Sequence, residues 1–117
     1  MAYPEQERRR SLLEKLRQTI EAELQDGARL PLNLTLRRER LAELGEEMGL
    51  DRGRVEYLFM TLVEEGFVKA RIASDRSEGF QHAILNGLTD RGLRLIGHLP
   101  PREGSLEDIL ERLSARS

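Results

Sequence analysis

Cysteine is absent from the 117 residues, which removes disulfides, thiolate nucleophiles and zinc–thiolate centres from consideration. No apolar run approaches the ~20 residues that a membrane-crossing helix needs. The N-terminus also lacks the apolar stretch of a signal peptide, so the expected compartment is the cytoplasm, with no membrane partner. Charge of one sign is missing too: 19 basic against 21 acidic residues leave a net charge of -2, spread evenly along the chain. No global basic field therefore draws the chain toward nucleic acid. Histidine occurs only as His82 and His98, at a separation that offers no shared metal, and each reads as a structural histidine. Neither a nucleophile elbow around a serine nor a glycine-rich phosphate loop after a strand is present. An enzyme is not expected, and no cofactor or metal is implied.

What remains is a strongly solvated chain, 34% charged and 38% hydrophobic with a mean hydropathy of -0.53. Its length suits one domain with a single core. Lysine occurs only at Lys15 and Lys69. The arginine excess follows either from a GC-rich genome or from selection for bidentate contacts to phosphate and carboxylate.

Apolar spacing predicts the elements. Pro4 suits a first helical position, and Leu12, Leu13, Leu16, Ile20 and Leu24 recur at helical spacing until Asp26-Gly27 stops the run. Leu30-Pro31-Leu32-Asn33-Leu34 alternates with period two and reads as either a short edge strand or an extended linker. Thr35 is then the expected cap of a second helix from Leu36 to Met48, ended by Gly49. Asp51 is the expected cap of a third, from Arg52 to Glu65, closed by Gly66. Residues 67–72 and 82–85 read as two strands of a hairpin with a polar turn from Ser74 to Gly79. Thr89-Asp90 opens a fourth helix carrying Leu93, Leu95, Ile96 and Leu99, which Pro100-Pro101 must break. A last amphipathic helix follows, with Leu106, Ile109, Leu110 and Leu113.

Helix, tight turn, helix and hairpin form an order with a family behind it. In Leu44-Gly45-Glu46-Glu47-Met48-Gly49-Leu50-Asp51-Arg52-Gly53-Arg54-Val55, a small residue lies where two helices meet. Glycine then makes the turn, leucine plugs the inner angle, aspartate caps the next helix and valine anchors it. This stretch, with Leu62 to Val68 and Leu88 to Gly92, resembles the winged helix-turn-helix family over residues 36–99. Over the whole chain, the sequence is similar to the YjcQ-like small winged-helix proteins, whose activity is unassigned. The expected fold is thus mainly α with a small β-hairpin wing. Residues 1–99 would form the winged-helix domain with its long first helix, and residues 100–117 a C-terminal helix packing on that domain or across a dimer.

The resemblance implies two kinds of partner. For double-stranded DNA, Arg52, Arg54, Tyr57 and Thr61 on the third helix are the expected groove-facing residues. Arg37, Arg38 and Arg40 would hold the backbone, and Lys69, Arg71 and Arg76 on the wing would reach flanking phosphates. Against this, Glu46, Glu47, Glu56, Asp75 and Glu78 interrupt the stripe. For a protein partner, Tyr57 and Met60 are the contact residues, with Met60 equally readable as core margin. The apolar seams of the first and last helices (Leu13, Leu16, Ile20, Leu24 and Leu106, Ile109, Leu110, Leu113) either pack on each other or join two copies as a homodimer.

Overall fold

A computed structural model describes residues 4–99; the last helix expected from the sequence, with Leu106, Ile109, Leu110 and Leu113, lies outside the described residues. The elements are α1 (Pro4–Gln25), β1 (Leu34–Arg37), α2 (Arg38–Glu47), α3 (Arg52–Glu64), β2 (Val68–Asp75), β3 (Gly79–Leu88) and α4 (Asp90–Leu95). The three strands form one antiparallel sheet in the order β1-β3-β2. Helices and sheet share one core, and the element order is consistent with a winged-helix-like arrangement. No described helix is long and apolar enough to cross a membrane.

α2 and α3 set the frame. α2 ends at Glu47 with Met48 at its C-cap, and Gly49 takes a φ of +73°, a left-handed conformation that glycine enters without steric cost. The chain turns back at once: the Leu50 N–H donates to the Gly45 carbonyl at 2.8 Å, and the Leu50 side chain is buried in the angle. Asp51 then caps α3, its Oδ1 accepting the Arg54 N–H at 2.9 Å. The helices cross so closely that a Cβ on Gly45 would stand 2.8 Å from Val55 Cβ and Cγ1. This crossing turns Val55, Leu58, Phe59 and Leu62 inward, where Phe59 meets Phe80 of β3 edge to face at 5.8 Å.

The strands differ from expectation in extent. Thr35 is not a helix cap: Leu34–Arg37 pairs with His82–Leu85 of β3, and α2 begins at Arg38, with Arg37 at its cap position making no side-chain capping bond. Pairing with a distant strand buries Leu36 on the inner sheet face, which outweighs a cap worth about 1 kcal/mol. The period-two alternation seen at 30–34 thus runs on into the strand. The hairpin is longer than predicted, with its turn confined to residues 76–78. α4 begins as expected, Thr89 Oγ1 accepting the Gly92 N–H at 3.1 Å. However, it ends at Leu95, with Gly97 at a φ of +79°, ahead of the two prolines.

The proposed dimer seam also changes. Leu13 and Leu16 are completely buried in the core of their own chain, so they are not available to a second copy. Ile20 packs at the core margin, and only Leu24, 38% exposed, stands out from α1.

Gly45→Ala tests the crossing. Alanine gains up to ~1 kcal/mol in helix propensity over glycine, whereas forcing a methyl against Val55 costs about 1–3 kcal/mol, so urea denaturation should show net destabilisation. Val55→Ala in the same chain relieves the collision, and the pair should cost less than the sum of its parts.

Candidate nucleic-acid interface

The residues expected to meet DNA occupy three surfaces. On α3, successive side chains turn by about 100°, so Arg52 and Arg54 flank the exposed edge on opposite sides and Tyr57, 71% exposed, stands between them. Arg52 leans toward α2, its Nε 3.7 Å from Glu56, and lines a groove shared with Arg38, Glu39, Glu43 and Glu46. Arg54 folds back to Asp51 at 3.6 Å and lines a groove against α1. Thr61 is half-buried, its hydroxyl donating to the Tyr57 carbonyl at 2.8 Å. Met60 is half-buried against the core, which places it at the core margin and not on an open contact surface.

Arg37, Arg38 and Arg40 do not act as one group. Arg40 is exposed and pairs with Glu43 at 3.0 Å. Arg38 turns inward: its Nε donates to Glu56 Oε1 at 3.1 Å and its Nη2 to the Glu78 carbonyl in the hairpin turn at 2.9 Å. Glu56 is only 8% exposed and accepts from α2 while leaning on Arg52 of its own helix. One carboxylate thus ties α2, α3 and the turn of the hairpin together. The sequence shows Glu56 only as one of several helical glutamates; the i,i+4 spacing from Arg52 signals an ion pair, but nothing local signals its burial.

Arg37 belongs to the sheet. In register, Thr35, Ile84 and Arg71 form one cross-strand row, and Arg37, His82 and Ala73 form the next. These rows alternate with Leu34, Leu85, Ala70 and with Leu36, Ala83, Ile72, which face the helices. Arg37, Arg71 and His82 therefore stand on the outer face, joined by Lys69 two positions before Arg71 on β2, and all four are exposed. Among the described residues, Arg37, Lys69, Arg71 and Arg76 enter no ion pair. Arg38, Arg40, Arg52 and Arg54 each do. The carboxylates at the hairpin end are otherwise engaged. Asp75 Oδ1 accepts both the backbone N–H and the hydroxyl of Ser77 at 2.8 Å, and these bonds hold the Asp75 carboxyl below its ordinary range. The Glu78 carboxylate accepts from Gln81 at 3.3 Å.

A further surface feature is the groove between α1 and α3, about 690 Å³, lined by Glu5, Arg8, Leu50, Arg54, Tyr57 and Leu58 among others. Its floor is apolar and its rim carries both signs of charge. The described residues hold no group of three or more histidines or carboxylates spaced for a metal ion. Comparison of the sequence with protein-family models and with curated proteins finds no match.

Glu56→Gln keeps the shape but leaves the half-buried Arg38 facing a neutral partner, and should cost about 1.5–3 kcal/mol in denaturant unfolding. Amide hydrogen exchange at residues 76–79 should quicken in the same variant, because the bond holding the hairpin turn loses its anchor. Replacing Arg38 and Glu56 together by methionine should cost less than removing either alone.

Proposed function

We propose that the protein is a non-enzymatic DNA-binding module that enters the major groove of a duplex with the exposed edge of α3 and regulates transcription or another DNA transaction. The observation that carries this reading is the attitude of α3. Its apolar stripe is consumed by the core, while Tyr57 and the side chains of Arg52 and Arg54, 56% and 67% exposed, face solvent. The ion pairs of Arg52 and Arg54 do not oppose it. The Arg54–Asp51 pair is exposed on both sides and contributes about 0–1 kcal/mol. Arg52, more than half exposed, stands 3.7 Å from Glu56, so either guanidinium exchanges its carboxylate for phosphate or a guanine edge at little cost. When Arg52 leaves, Glu56 keeps Arg38 and is not stranded as a buried charge.

Homodimerisation belongs to the same proposal, since two copies of α3 on a two-fold axis would address paired half-sites. With Leu13 and Leu16 committed to the core, Leu24 and the margin residue Ile20 are the described remainder of that seam.

A second reading is favoured by the α1–α3 groove with Tyr57 at its edge. An exposed aromatic beside an apolar floor suits the anchor of a protein partner. The two readings separate on the same helix. In titrations of a random-sequence duplex at low and moderate salt, Arg52→Ala with Arg54→Ala should weaken binding at least tenfold and flatten its salt dependence by about one to two units of slope. Unchanged affinity in that variant would refute the α3 contact. For the protein-partner reading, the expected result is a complex that survives nuclease treatment and is lost on Tyr57→Ala.

A further inference from the structure

The outer face of the sheet gathers Arg37, Lys69, Arg71 and His82 in a chain whose total is -2, and the carboxylate at its hairpin end, Asp75, is engaged by the backbone N–H and hydroxyl of Ser77. Arg37 on β1 and Arg71 on β2 lie two strands apart, roughly 10 Å across the sheet, with Lys69 one step along β2 and His82 between them on β3. No acidic residue occupies either of the two paired rows. Nothing described covers this face: its cations are exposed, and the helices pack on the opposite side through Leu36, Phe80, Ala83 and Leu85.

The chemistry of the face selects its partner. It carries no aromatic side chain in these rows, so it offers no platform on which unpaired bases stack. Its one sizeable apolar side chain, Ile84, is half-buried among the polar neighbours of its row, which is too little for the apolar centre of a protein interface. Long cations on a twisted sheet, with no carboxylate in their two rows and Asp75 beyond them held by Ser77, suit an extended row of phosphates with fixed spacing, as a duplex presents.

We propose that the outer sheet face, through Arg37, Lys69 and Arg71, is a second binding surface for the phosphate backbone of double-stranded DNA, back to back with α3. The inference rests on the reading of the chain as a DNA-binding protein and adds that one molecule holds two duplexes. Because the edge of α3 points away from the sheet and the face points away from the helices, a duplex seated on one surface leaves the other open.

Two variants test it, Arg37→Gln/Lys69→Gln/Arg71→Gln for the sheet and Arg52→Ala/Arg54→Ala for the helix, both checked by thermal melting. The assay captures a labelled short duplex on an immobilised one through the protein, alongside salt titrations of a single duplex. Wild type should bridge the two duplexes. The sheet variant should lose bridging and lower its salt slope by about two to three, while still binding one duplex through α3. A sheet variant that bridges and keeps the wild-type slope would overturn the proposal, as would equal competition by single-stranded DNA of the same length. If the helix variant behaves as wild type while the sheet variant loses all binding, α3 is excluded and the two-duplex arrangement is overturned, the sheet face being then the one duplex surface. If wild type fails to bind any duplex at low salt, both readings fall.

Discussion

The approach of α2 to α3 at Gly45 and Val55 governs what the rest of the chain can present. Ordinary helix pairs keep their axes 8–10 Å apart because side chains intervene. Here one side contributes only a hydrogen, and the Val55 methyls lie where a Cβ would be. Such contact fixes the roll of α3, since another rotation would bring larger neighbours into the gap. Roll, in turn, decides that Val55, Phe59 and Leu62 are interior while Tyr57 is outside. Gly49 and Leu50 complete the constraint: a left-handed residue reverses the chain within one turn, and an apolar plug fills the angle that results. Glycine in a helix sacrifices about 1 kcal/mol of propensity relative to alanine, a loss the close packing offsets.

Glu56 is the second fixed point, and it works by charge instead of shape. A carboxylate at 8% exposure is unfavourable unless its oxygens are matched. Arg38 matches it from α2 and continues to the Glu78 carbonyl, so the same guanidinium also satisfies a backbone acceptor in the hairpin turn. The hairpin is thereby referred to the helix pair at its far end as well as through the sheet. At the other end, Gly92 of α4 sits against the Phe67 carbonyl with no room for a Cβ, and Thr89 donates to the Gly66 carbonyl at 2.6 Å. The outer sheet face is held between these two anchors.

Much of this was readable in the sequence where the cause is local. Asp51 and Thr89 cap their helices, and Gly27, Gly49 and Gly66 take positive φ, because capping bonds and left-handed turns involve residues within a few positions of each other. The small residue at Gly45 was readable because its partner lies only ten positions away. Thr35 misleads for the opposite reason: it is a sound cap by type, but residues almost 50 positions later supply a strand that claims it. Leu13 and Leu16 carry the spacing of a seam, and only the assembled fold shows which surface covers them. Glu56 could not be told from its solvated neighbours, since its burial depends on three elements at once.

Charge totals mislead in the same way, and the reason is geometric. On a helix, residues three and four apart share a face, so a chain rich in both signs neutralises itself locally. The pairs Arg40–Glu43, Arg52–Glu56 and Arg54–Asp51 all form at those spacings. On a strand the same face recurs every second residue, and its other neighbours come from different strands, so neutralisation requires complementary residues far apart in sequence. Arg37, His82, Lys69 and Arg71 meet across three strands with no carboxylate among them in the paired rows. A near-neutral chain can therefore keep neutral helices and a positive sheet. With a screening length of about 8 Å at physiological salt, a phosphate at that sheet feels the cations beside it far more than the paired charges of the helices on the other side of the core.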